Sequence, residues 1–139
     1  MIVVVDTNVF ISAARSRAGF AWHCFVLLAE KQFQLAVTRE ILEEYELVAE
    51  RQARAGGILH GKNWRALYQW LHRRALYVEA APLGKPRSRD AKDDIFLACA
   101  LAARAEIIVS FDNDLLALKK PFGIEMLKPS AFAAKMRSK

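Results

Sequence analysis

Residues Ile2-Val3-Val4-Val5 form an unbroken β-branched run that stops abruptly at Asp6-Thr7-Asn8. A strand with one wet face alternates apolar and polar residues. An unbroken run therefore predicts a strand buried on both faces, the kind found in parallel sheets covered by helices. The rest of the chain fits that frame. Gln34 to Val37, Leu76 to Glu79 and Ile107-Ile108-Val109 read as further strands, and Ile124 to Leu127 as an edge strand. Helical stretches separate them. The first runs from the Asp6-Thr7-Asn8 cap to about Ala14, and the next from Phe20 to Glu30. Thr38 is placed to cap a helix from Arg39 to about Ala53. Asn63 to Arg74 and Asp93 to Arg104 follow, then a short turn near Leu115 to Lys119 and a last helix that Pro129 starts. Alternating strands and helices predict an α/β fold, a three-layer α/β/α sandwich with a central, mostly parallel sheet. The 139 residues suit one domain spanning 1–139. No internal repeat, linker or low-complexity segment interrupts them.

Composition narrows the function classes. Apolar residues make up 54% of the chain, which excludes an intrinsically disordered protein. Lys and Arg outnumber Asp and Glu by 21 to 15, a net charge of +6, and that balance favours a polyanionic partner such as nucleic acid. Cys24 and Cys99 both sit in apolar stretches and read as buried thiols of a reduced compartment rather than a disulfide framework. The opening residues are too short and lack the basic start of a signal peptide. The longest apolar run, Ile95 to Ala103, falls short of a membrane span. A cytoplasmic protein with no membrane contact is the expectation.

Acidic residues carry the chemistry. In open α/β sheets ligands bind beyond the carboxyl ends of the strands. Asp6 ends the first strand and Asp112 lies just past Ile107-Ile108-Val109. Either alone reads equally well as a helix cap, but two at matching positions weigh toward a site. Asp93 opens the most apolar helix, where Asp90 and Asp94 compete for the capping role. On the Arg39 helix, Glu44 and Glu46 border the apolar face from opposite sides, and periodicity does not separate them. Carboxylates gathered at one edge repel, and a divalent cation such as Mg²⁺ or Mn²⁺ relieves the repulsion. Carboxylate-held metal in a basic protein suggests a phosphodiester substrate. Lys85, Arg87, Arg89 and Lys92, just before Asp93, are candidates for holding phosphates, with Arg15 and Arg17 weaker ones. His23, His60 and His72 are scattered, and no Ser-His-Asp order or glycine-rich phosphate loop is present. The helix with Trp64 and Trp70 reads as core or dimer surface.

The ordered set of acids resembles a known family. Val3-Val4-Val5-Asp6-Thr7-Asn8 is similar to the opening of the PIN-domain nucleases, and Thr38-Arg39-Glu40-Ile41-Leu42-Glu43-Glu44-Tyr45 to their second motif. Arg89 to Ala100 resembles the third motif, and Ile108-Val109-Ser110-Phe111-Asp112-Asn113-Asp114-Leu115-Leu116 the fourth. The nearest likeness is to PIN-family toxins of bacterial toxin–antitoxin systems, related to the VapC toxins. The resemblance implies Asp6, Glu44, Asp93 and Asp112 as ligands of Mg²⁺ or Mn²⁺. It favours Glu44 over Glu46, and favours Asp93 because Ala100, seven residues on, matches the family's small helix residue. It implies Thr7, Asn8 and Ser110 as polar support and Asp114 as a further acid near the metal. It also implies an endoribonuclease that leaves a 5′-phosphate and a 3′-hydroxyl, a homodimer, and a cognate antitoxin whose peptide blocks the site. The stretch from Gly56 to Arg74 departs from the shortest family members. Two other classes compete. One is a non-catalytic nucleic-acid-binding module of the same fold. The other is a phosphotransfer enzyme with Asp6 as nucleophile, against which Asn8 stands where a second Asp belongs.

Overall fold

The computed structural model describes residues 1–81 and 94–138. Five strands form one sheet: β1 (Ile2–Val5), β2 (Gln34–Val37), β3 (Leu76–Tyr77), β4 (Ile107–Val109) and β5 (Glu125–Leu127), ordered β3-β2-β1-β4-β5. Every neighbouring pair is parallel. β1 lies at the centre, and its consecutive Val3, Val4 and Val5 are all buried, as an unbroken β-branched run requires.

Helices cover the sheet. α1 (Thr7–Arg15) and α2 (Phe20–Ala29) carry the chain from β1 to β2, and α3 (Arg39–Gln52) and α4 (Trp64–Arg74) carry it from β2 to β3. α5 (Asp94–Ala103) then leads into β4 and packs on β1, β2 and β4. That crossover travels in the opposite direction across the sheet, so the right-handed rule places α5 on the opposite face. Its Phe96, Leu97, Cys99 and Ala100 are buried, which fits its nearly continuous apolar sequence. α6 (Asn113–Leu116) and a 3₁₀ turn (Pro121–Gly123) lead to β5, and α7 (Pro129–Arg137) packs against α2. Phe10 of α1 stacks on Tyr45 of α3 at 4.8 Å between ring centroids, and Phe33 meets Phe132 of α7 edge-on at 5.3 Å. Cys24 and Cys99 are free and buried, and burial pushes both thiols up to about 12.

Two elements differ from the sequence reading by two residues or more at an end. β3 ends at Tyr77 rather than Glu79. Among the described residues it pairs only with β2, and β2 stops at Val37 where Thr38 turns the chain into α3, so this ladder runs out after Val78 N–H donates to Val37 O at 3.0 Å. The short helix begins at Asn113, two residues before Leu115, because Asp112 caps it and its side chain accepts from Asp114 N.

Register decides what meets at the carboxyl edge. Val5 is level with Val109, Val109 with Leu127, and Val37 with Tyr77. Continuing the β1–β2 register from Val3↔Leu35 sets Val5 level with Val37. The residues that follow this row, Asp6, Thr38, Val78, Ser110 and Lys128, therefore share one edge of the sheet.

Candidate metal and nucleic-acid site

Asp6 is buried where β1 gives way to α1. Its backbone N–H donates to Val109 O at 3.0 Å, which ties the turn to β4. Its Oδ1 accepts from Val9 N at 3.0 Å and caps α1. Its Oδ2 accepts from the Ser110 hydroxyl. Ser110 Oγ in turn accepts from Asp112 N at 2.8 Å, so its single proton is left for Asp6. Asp112 Oδ1 then accepts from Asp114 N at 2.8 Å. The simple reading of both strand-end acids as helix caps therefore holds, and each cap leaves lone pairs on its carboxylate.

The acid of α3 meets the same turn from the other side. Thr7 donates its hydroxyl proton to Glu44 Oε2, and the Tyr45 hydroxyl donates to Val5 O, which anchors α3 against the end of β1. Periodicity could not choose between Glu44 and Glu46. In the structure Glu44 lies at Thr7, whereas the charge of Glu46 acts on Tyr68. Tyr45 was legible only as part of an apolar face, and no spacing signalled its hydroxyl bond to β1.

Electrostatics mark Asp6. Burial pushes its carboxyl from the ordinary 3.8 up to about 6. The hydrogen bonds from Ser110 and Val9 pull the other way, and the negative charges of Asp112 and Glu44 add to the rise. The structure thus brings Asp6, Glu44, Asp112, Thr7 and Ser110 together, with Asp114 one hydrogen bond further out. Asn8 is exposed in the first turn of α1. Arg15 ends α1, which carries it about 12 Å from Thr7. Arg17 lies with its guanidinium 5.2 Å from the centre of the Trp22 ring, so neither arginine stands beside the acids. Asp93, Lys85, Arg87, Arg89 and Lys92 lie outside the described residues.

A family model for the PIN domain matches residues 2–114. The chain belongs to the PIN-domain family. PIN domains are generally nucleases. Among solved structures, PAE2754 from Pyrobaculum aerophilum is similar over 100% of this chain and 91% of its own, with a TM-score of 0.68 and 17% identity. VapBC2 from Rickettsia felis, solved bound to a DNA fragment from its promoter, is similar over 92% of this chain and 98% of its own, with a TM-score of 0.64 and 16% identity. At such identities these likenesses speak for the PIN fold. No curated protein matches in sequence. Among the described residues no helix is long and apolar enough to cross a membrane.

PIN nucleases typically use divalent metals, so the site must be judged against such an ion. Among the described residues no three His, Cys, Asp or Glu side chains meet closely enough to hold a metal by themselves. The donor chemistry nevertheless fits a hard cation. Asp6, Glu44 and Asp112 offer carboxylate oxygens, the donors that Mg²⁺ and Mn²⁺ prefer. Among the described residues the side chains whose charge acts on Asp6, Asp112 and Glu44, are both negative, so a cation would offset that like-charge burden.

Proposed function

We propose that this PIN-domain protein is a Mg²⁺- or Mn²⁺-dependent endoribonuclease, and the toxin of a toxin–antitoxin pair acting in the cytoplasm. The observation that carries the reading is Asp6. It is a buried carboxylate at the carboxyl edge of a parallel sheet, raised to about 6, and the acids nearest it share its charge. Asp6, Glu44, Asp93 and Asp112 would hold the metal, with Asp114 a further acid nearby. A divalent ion in such a site supplies positive charge that activates water and offsets the charge developing on the phosphate.

The chain's own residues do the positioning. Val9 N–H and the Ser110 hydroxyl each occupy one oxygen of Asp6 and fix the plane of its carboxylate. Thr7 holds Glu44 toward the same turn, and Ser110 Oγ fixes the backbone that presents Asp112. Asn8, exposed one residue beyond, is free to orient water or substrate. Lys85, Arg87, Arg89 and Lys92 would hold the phosphates flanking the cleaved bond. Arg15 and Arg17 would reach only a phosphate farther along the strand, about 12 Å away.

The likeness to VapBC2 supports a cognate antitoxin as partner. An antitoxin segment that brings Arg or Lys to the carboxylates would compete with the metal for the same negative charge. A homodimer belongs to the same proposal. The test is cleavage of an end-labelled RNA pool with Mg²⁺ or Mn²⁺, with and without EDTA, by wild type and Asp6→Asn. Cutting that needs both the metal and Asp6 is the expected result. Intact RNA in every lane, from folded protein purified free of antitoxin, would overturn the enzyme in favour of a non-catalytic binding module.

A further inference from the structure

A pocket opens on the same edge of the sheet, on the β3 side. It has a volume of about 540 Å³, and its walls include Arg39, Glu43, Tyr68, His72, Tyr77 and Glu79. Tyr77 is level with Val37 and, through the β1–β2 register, with Val5. Two strand spacings therefore separate the pocket's strand from the one that ends in Asp6, roughly 10 Å. A nucleotide beside one held at the acids could reach it.

The aromatic ring in this pocket is exposed and yet fixed. Tyr77 is 50% exposed. Its hydroxyl lies 2.6 Å from His72 Nδ1 and also donates to His72 O. The His72 ring stands 5.5 Å from Tyr77 and 5.7 Å from Tyr68, and Tyr68 meets Phe10 at 6.2 Å, so an edge-on aromatic series ties the pocket to the helix that begins at Thr7. A flat apolar face held rigid in water is suited to stacking, and every nucleobase offers a face to stack. The charges also select what enters. Among the described residues of the wall Arg39 is bound to Glu43 at 2.9 Å and Glu79 adds a second carboxylate, so these three side chains together carry a net negative charge. Such a wall repels a phosphate and accepts hydrogen bonds from the N–H groups of a base.

We propose that this pocket takes one unpaired nucleobase of the RNA strand, stacked on Tyr77, and so fixes the identity of a nucleotide next to the cleaved bond. The assignment rests on the nuclease reading for its substrate. Single-stranded rather than duplex RNA is required, because a paired base cannot present its face. Purines, with the larger ring, are favoured.

Two experiments test it separately from the chemistry. In the first, oligoribonucleotides with 2-aminopurine at successive positions are titrated into Asp6→Asn protein in EDTA, with and without Tyr77→Ala. The pocket predicts quenching at one position only, lost with Tyr77→Ala and kept with Tyr77→Phe. Absence of quenching at every position, or quenching that survives Tyr77→Ala, overturns it. In the second, an abasic nucleotide is scanned through a cleavable oligonucleotide. Wild type should lose about tenfold or more in kcat/KM at that one position, and Tyr77→Ala, which should already have lost this on the intact strand, should lose nothing further. Additive losses overturn the assignment. If wild type cuts no RNA yet the quenching pattern holds, the pocket stands and the nuclease reading falls. If Tyr77→Ala instead converts a dimer to a monomer by light scattering, this face is a contact between copies and the assignment is overturned.

Discussion

Replacing Asp6 with Asn should make the metal-free protein more stable while it abolishes cleavage. The wild-type carboxyl is ionised at pH 8 although burial and the charges of Asp112 and Glu44 oppose it. A shift from 3.8 to about 6 corresponds to about 3 kcal/mol between the two protonation states. The sign follows from linkage. This is an acid raised in the folded state, so its contribution to stability is fully present below about pH 4 and is lost as pH climbs through about 6. Asn has no charge to lose. It also caps a helix as well as Asp does, so the bond from Val9 N survives. The bond from the Ser110 hydroxyl must rearrange, which costs about 1 kcal/mol. The net expectation is a gain of about 2 kcal/mol for Asp6→Asn at pH 8 in EDTA, shrinking to nothing or a slight loss near pH 4. Urea denaturation followed by tryptophan fluorescence at pH 4 to 8 measures it directly. Adding Mg²⁺ or Mn²⁺ should raise wild type and leave the variant where it was. A variant less stable than wild type at pH 8, or a difference that does not change with pH, would refute the account and leave Asp6 as an ordinary helix cap.

Other expectations follow from the same geometry. Glu44→Gln should lower RNA cleavage by at least about 100-fold, while Glu46→Gln stays within about twofold, measured on one RNA with Mn²⁺. Ser110→Ala removes the bond that lowers the Asp6 pKa and strips Asp112 N–H of its acceptor. The acid limb of the cleavage pH profile should therefore move upward in pH, and stability should fall by about 1–2 kcal/mol in urea. Arg15→Ala with Arg17→Ala should leave cleavage of a short oligonucleotide unchanged. On long RNA the same pair should weaken binding and flatten its salt dependence by up to about two charges.

How much of this was legible in the sequence depends on the range of each interaction. Strands announce themselves through local composition, so β1, β2 and β4 stand out as apolar runs and Asp6 as the residue that ends the first. The length of β3 is not local. It is set by where β2 turns into α3, and Leu76 to Glu79 carries no mark of that limit. Glu44 and Glu46 are nearly equivalent on a helical wheel, and the Thr7 hydroxyl that distinguishes them is 37 residues away in sequence. The proton donor to Asp6 is farther still, 104 residues away. His72 reads as one of three scattered histidines, and although it stands only five residues before Tyr77, it is the turn from α4 into β3 that sets the two side chains against each other.

The distribution of buried polarity carries the argument furthest. Among the described residues the buried polar side chains are Asp6, Thr7, Thr38 and Ser110. All four follow the carboxyl ends of β1, β2 and β4, and the buried Tyr45 hydroxyl, bonded to Val5 O, lies at the same edge. Thr38 is accounted for by capping α3, since its hydroxyl accepts from Ile41 N at 3.2 Å. Thr7 and Ser110 are accounted for by the carboxylates they donate to. Asp6 is different. Capping α1 requires an oxygen, which Asn supplies equally well, and does not require a charge. The charge costs stability because it is buried and because the acids acting on it share its sign. A local rule broken without structural gain marks a functional position, and here the broken rule and the carboxyl edge of the sheet coincide at one residue.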